Sequence, residues 1–113
     1  MKRKIAVPVD SKGLLDGHFG HCKNFAVFNA DENNIISEEL LDPPPHEPGL
    51  LPVWLSEKGV TDIIAGGMGQ RAIQIFNQNG VNAFVGAPRI IARELALKHL
   101  NGELALTENY CDH

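Results

Sequence analysis

The stretch Gly17-His-Phe-Gly-His-Cys-Lys-Asn-Phe25 carries His18, His21 and Cys22 within five positions. Imidazole and thiolate are the side chains that bind borderline and soft metal ions, so the spacing offers a ligand set. Gly17 and Gly20 bracket His18 and Phe19 and free the backbone around them. The same residues can serve two other ends: a thiol activated by a neighbouring base, or a compact turn with no chemistry. Three ligands from one loop rarely complete a metal site, and further donors lie elsewhere. His46 sits in Pro43-Pro-Pro-His-Glu-Pro-Gly49, and the sequence ends in Cys111-Asp-His113. Their plain alternatives are a solvated loop histidine and an ordinary terminus.

A second motif is Ala65-Gly-Gly-Met-Gly-Gln-Arg-Ala72, which joins a strand to the start of a helix. Gly66, Gly67 and Gly69 let backbone N–H groups approach a ligand closely, and a helix start favours negative charge. The Gly-Lys-Ser/Thr ending of a nucleotide phosphate loop is absent. Arg71 and Arg89, each early in a helix behind a loop, add positive charge. Met68 offers a soft thioether, an apolar lid, or packing alone. His99 falls in the last turn of a helix, where packing and the helix dipole explain it without a ligand role.

These residues need elements to position them. Residues 3–9 read as a buried first strand. Residues 25–30 and 35–41 read as a hairpin turning at Asp31-Glu-Asn-Asn34. Four prolines exclude regular structure from 43–49. Three helices are then expected: 50–59 stopped by Gly59, 68–80 stopped by Gly80, and 88–102 with Pro88 in its first turn. In the second, Ala72, Ile73, Ile75 and Phe76 face inward. Strands at about 61–66 and 82–86 alternate with the helices. The order implies a mixed sheet with helices on its faces, its helix-linked strands parallel. The loops after the three parallel strands then meet at one edge of the sheet, where open α/β sheets bind ligands.

Composition narrows the function. The 113 residues make one domain, 43% hydrophobic and 21% charged, as in a soluble globular protein. A net charge of −4 gives no electrostatic footprint for nucleic acid. No apolar run spans a bilayer, and the run after the basic tip, Ile5 to Val9, is too short for a signal peptide, so the expected location is cytoplasmic. The two cysteines, each beside histidine, read more as metal chemistry than as a disulfide.

The His-Phe-Gly-His-Cys loop, the histidine of the proline loop and the Gly-Gly-Met-Gly turn, in this order and spacing, resemble the dinitrogenase iron–molybdenum cofactor biosynthesis family over essentially the whole chain. The resemblance implies a ribonuclease-H-like three-layer α/β/α fold with a five-stranded mixed sheet. It implies a non-enzymatic role in binding, storing or transferring a metal–sulfur cluster, of iron–molybdenum or molybdenum–copper type. Carried over by position, His18, Phe19 and Gly20 match one motif and Gly66, Gly67 and Gly69 the other, with Met68 and Arg71 beside them. His46 matches more loosely. Cys22 departs from the pattern, and Cys111 with His113 resembles the Cys- or His-bearing tails of some small members. Added thiolates favour soft ions such as Cu(I) or Zn. Implied partners are the cluster itself and proteins that donate or accept it, the chain acting as a monomer or a homodimer.

Three other readings stay open. A nuclease would use Asp10 at the end of the first strand, but the other strand ends lack matching acids, and Asp62 lies at the start of its strand. A thiol enzyme would rest on Cys22. A regulatory or partner-binding domain would need no metal.

Overall fold

The computed structural model describes residues 2–17, 19–45, 47 and 49–107. In chain order the elements are β1 (Lys2–Val9), β2 (Asn24–Asp31), β3 (Asn34–Leu41), α1 (Leu50–Glu57), β4 (Asp62–Ile64), α2 (Gln70–Gln78), β5 (Asn82–Phe84) and α3 (Ala92–Leu100), with a 3₁₀ turn at Phe19–His21. The strands form one five-stranded mixed sheet in the order β3-β2-β1-β4-β5. β1 and β2 pair antiparallel from Lys2↔Asp31 to Val9↔Asn24, while β1–β4 and β4–β5 are parallel. The element order and the parallel neighbours agree with the sequence expectation.

Alternation along β1 builds two cores. Ile5, Val7 and Val9 face α3 and pack with Phe28, Ile64, Leu95 and Ala96. Ala6 faces the other way, into a core of Phe25, Val27, Ile63, Leu51, Leu55 and Phe76 under α1 and α2. A strand covered on both faces must be apolar throughout, which is why Ile5 to Val9 reads as a continuous run. Pro8 is tolerated inside it because its carbonyl turns away from the β2 ladder and accepts the Asp16 N–H at 2.8 Å. The missing proline donor therefore falls on that side and costs the ladder nothing.

The helices leave the sheet's faces in the same manner. Gly59 and Gly80 adopt φ of +87° and +76°, and the following Val60 and Val81 donate back to Leu55 and Phe76. Only glycine takes that conformation without strain, and each valine enters the core directly behind it. The start of α3 differs from expectation: it begins at Ala92, and Pro88 lies outside it. Residues 90–92 are committed elsewhere, since Ile90 O accepts the Leu15 N–H at 3.0 Å and the Ala92 N–H donates to Gly13 O at 3.1 Å. After α3 the chain returns along the sheet to Gly86, whose carbonyl accepts the Thr107 N–H at 2.8 Å. A Cβ on Gly86 would stand 2.0 Å from the Thr107 carbonyl oxygen, so that approach requires glycine. No helix among the described residues is long and apolar enough to cross a membrane.

At the opposite, amino-terminal edge of the parallel strands lies Asp62, buried at 3% exposure. Its Oδ2 is 2.9 Å from His99 Nε2 and 3.7 Å from Arg3, and its Oδ1 accepts from Asn82 at 3.3 Å. This pair pins the last turn of α3 to β4, a role the helix dipole alone does not convey. Burial pushes the Asp62 carboxyl up, but the hydrogen bonds from His99 and Asn82 and the charges of His99 and Arg3 outweigh it and hold it below its ordinary 3.8. A carboxyl lowered in the folded state adds stability that is full above the unfolded value and is lost as pH falls through the folded one. Asp62→Asn should lower stability at pH 7 by about 3 kcal/mol, the scale of removing one partner of a buried pair. It should also flatten the loss of stability below about pH 4. Urea unfolding across pH checks both; an unchanged acid limb in the variant would contradict the assignment.

Candidate functional site

Three loops leave the carboxyl ends of the parallel strands: 10–23 after β1, 65–69 after β4 and 85–91 after β5. They are cross-bonded. Gly86 N–H donates to Gly66 O at 2.8 Å and Ala87 N–H to Ala65 O at 3.2 Å, joining the second loop to the third. Leu15 N–H to Ile90 O and the Leu14↔Ile91 bridge join the first to the third.

The first loop changes sides of the sheet. Leu15 belongs to the core under α3, whereas Phe19 and Cys22 belong to the core under α1 and α2. The chain therefore changes sides of the sheet between Leu15 and Phe19, and His18 lies outside the described residues. Phe19 is the far anchor. Its ring meets Phe25 and Phe76 edge-on, each at a centroid distance of 5.7 Å, a favoured aromatic arrangement. The near anchor begins at Asp10, whose Oδ1 accepts the N–H groups of Lys12 at 2.8 Å and Leu14 at 3.2 Å. Those bonds, with Arg89 beside them, hold the carboxyl below its ordinary value even against burial. Asp before Ser-Lys-Gly is a recognisable side-chain-to-backbone turn, a signal in the sequence that the carboxylate reading of Asp10 passed over.

The expected donors separate into groups. His21 closes the 3₁₀ turn and is exposed. Cys22 is 7% exposed, inside the core. Burial and the nearby negative Asp16 push its thiol up to about 12, the reverse of what an activated nucleophile needs. Met68 is 1% exposed and packs in the same core. In this conformation neither sulfur is presented at the surface. His18, His46, Cys111 and His113 all lie outside the described residues. Among the described residues, no three His, Cys, Asp or Glu side chains gather closely enough to hold a metal ion.

What the second loop offers is backbone. Gly66 and Gly67 are buried, and Gly69 caps α2 without any side-chain hydrogen bond to the helix start. The first N–H groups of a helix have no partner within it, so they point out of this end as donors. Gly69 has φ −65° and ψ 152°, which any residue adopts, and a Cβ there would meet nothing within 4 Å. The approach to the start of α2 at Gly69 is open. Arg71 is exposed on the first turn of α2, and a Cβ at Gly49, the end of the proline loop, would lie 3.9 Å from its guanidinium. Arg89 does not join this group, because its guanidinium is bound to Asp10 at 3.0 Å. A helix start with Arg71 exposed on its first turn can meet an anion.

Comparison with known proteins finds a family and shared folds. The family model described as dinitrogenase iron-molybdenum cofactor matches residues 1–101. The uncharacterized protein MJ0580 of Methanocaldococcus jannaschii is 29% identical over 86 residues, 72% of each chain. The crystal structure of PH0822 superposes with a TM-score of 0.81 at 26% identity, covering 91% of this chain and 93% of that one. The apo form of the orange protein from Desulfovibrio gigas has a TM-score of 0.77 at 22% identity, covering 95% and 94%, and so shares the fold.

The buried thiol gives a direct test. Raising Cys22 from 9.0 to about 12 leaves about a thousandfold less thiolate at neutral pH, before shielding is counted. Iodoacetamide at pH 8 should leave the peptide containing Cys22 unmodified in native protein and modify it fully in urea. Rapid native labelling would return Cys22 to the surface and to the ligand set.

Proposed function

The chain belongs to the dinitrogenase iron-molybdenum cofactor family, and from that premise we propose that it binds and passes on a metal–sulfur cluster at the carboxyl edge of β1, β4 and β5. The cargo is of iron–molybdenum or molybdenum–copper sulfide type, and the protein acts as a carrier, not an enzyme. The layering of two cores about the sheet supports the ribonuclease-H-like label for the fold.

The observation that carries the reading is Gly69. It stands in an unstrained conformation with open space where a side chain would be, at the start of α2, which has no side-chain cap hydrogen bond. Metal–sulfide clusters are commonly anions, and such a helix end accepts negative charge. Arg71 adds charge on the same turn. His21 and His18 supply imidazole to the metal; the loosely matched His46 and the pair Cys111 and His113 are the further donors. Phe19 and Gly20 hold the turn that presents His21. A site with few side-chain ligands and much backbone suits a cargo that has to leave again.

Protein purified without oxygen should carry metal together with acid-labile sulfide, or take up tetrathiomolybdate as a coloured metal–sulfide anion. Gly69→Ala should fold as the parent does, with an unchanged urea midpoint, yet bind the anion about tenfold more weakly because the Cβ fills the approach. His21→Ala should weaken binding to a similar degree. Zinc without sulfide would indicate a simple metal site. A chain that neither carries nor accepts metal sulfide would point to the metal-free partner-binding domain.

A further inference from the structure

The three helices end in the same backbone figure. After α1 the Gly59 N–H donates to Ser56 O and the Val60 N–H to Leu55 O. After α2 Gly80 donates to Asn77 O and Val81 to Phe76 O, and after α3 Gly102 donates to His99 O and Glu103 to Lys98 O. Each is a Schellman closure on a left-handed glycine, with Gly102 at φ +71°. The residues before those glycines are Lys58, Asn79 and Asn101, so two of the closures are Asn-Gly pairs. Such a pair carries a reaction of its own. Asparagine is a thermolabile side chain, and glycine, having no Cβ, leaves its peptide nitrogen open to the carboxamide carbon before it.

The two pairs have matched backbones and different restraints. Asn79 has φ −100° and ψ 13°, Asn101 has φ −89° and ψ 1°, and both are exposed. The Asn79 carboxamide donates through Nδ2 to Ile75 O at 2.8 Å, which holds it against its own helix. Asn101 makes no side-chain hydrogen bond among the described residues. The residue after the glycine differs as well. Val81 is 2% exposed and belongs to the core under α1 and α2, whereas Glu103 is exposed. The α3 closure therefore lacks both the carboxamide anchor and the apolar contact that commonly accompanies the motif.

We infer that Asn101 is a site of spontaneous deamidation and isoaspartate formation, and that the same dipeptide at Asn79 is held back. Hydroxide takes the proton of the Gly102 N–H, and that nitrogen bonds to Asn101 Cγ. The Cγ–Nδ2 bond breaks, and Nδ2 takes a proton from water and leaves as ammonia. Water then opens the resulting succinimide at either carbonyl, giving aspartate or isoaspartate; no electrons are gained or lost. The attack needs the Gly102 N–H released from His99 O, a 3.2 Å bond on an exposed turn, where local opening is easiest. Both products put a carboxylate at the carboxyl end of α3, against the helix dipole and two residues from Glu103. Isoaspartate also adds an atom to the backbone of the closure. That closure sets the direction of the segment that ends with Thr107 on Gly86.

The full chain, incubated at mildly alkaline pH with and without urea, reports both sites at once. Mass spectrometry with electron-transfer fragmentation follows the acid and isoaspartyl forms of the peptides that contain Asn79-Gly80 and Asn101-Gly102. In native protein Asn101 should convert about fivefold faster than Asn79, the factor that one hydrogen bond is worth. In urea, where neither closure exists, the two rates should converge. The urea midpoint of the aged parent should fall, while Asn101→Gln incubated alongside keeps its own. Freshly made Asn101→Asp, which has the charge without the added backbone atom, should fall less than the isoaspartyl form. Equal native rates, or faster conversion at Asn79, would overturn the inference. So would a native chain in which neither pair converts while both convert in urea. An isoaspartyl product with the parental midpoint would overturn the consequence drawn for the α3 closure.

Discussion

Everything in this molecule follows from β1 being hydrogen-bonded on both edges, antiparallel to β2 and parallel to β4. The antiparallel side makes the chain turn back after Val9 and so produces the loop that bears the histidines. The parallel side makes β4 and β5 exit in the same direction as β1, which places their loops beside it. Together the two pairings set the loop after β1 beside the exits of β4 and β5.

The two cores give that loop its shape. Leu15 is drawn into one and Phe19 with Cys22 into the other, so burial on opposite faces stretches the chain over the sheet's edge. Burial of apolar surface is non-directional, and it fixes which layer each anchor joins without fixing how the residues between them point. Direction comes from hydrogen bonds at the root, where Asp10, Leu14, Leu15, Arg89 and Ile90 meet. Cys22, next to His21, reads as a donor by type, and the structure packs its side chain into the core beside Phe19.

The two ends of the parallel strands handle charge in opposite ways. At the amino edge a buried carboxylate is fully answered by His99, Asn82 and Arg3 and serves to lock a helix to the sheet. At the carboxyl edge the α2 helix start has no side-chain cap and faces open space at Gly69.

The sequence by itself determined the element order, the burial of β1 and β4 on both faces and the helix stops at Gly59 and Gly80, whereas β5, expected to be buried, is exposed to half-buried. Those depend on local period and on conformations that one residue type adopts, and both are written in neighbouring positions. The family motifs were legible for the same reason, being short and consecutive. Only the tertiary structure decided that α3 starts at Ala92 and not at Pro88, that Cys22 is core, that Arg89 binds Asp10, and that His99 answers Asp62. Each of these joins residues far apart in the chain, such as Asp10 with Arg89 or Asp62 with His99. A side chain's role is then set by which partner the fold brings to it, information that no local stretch of sequence contains.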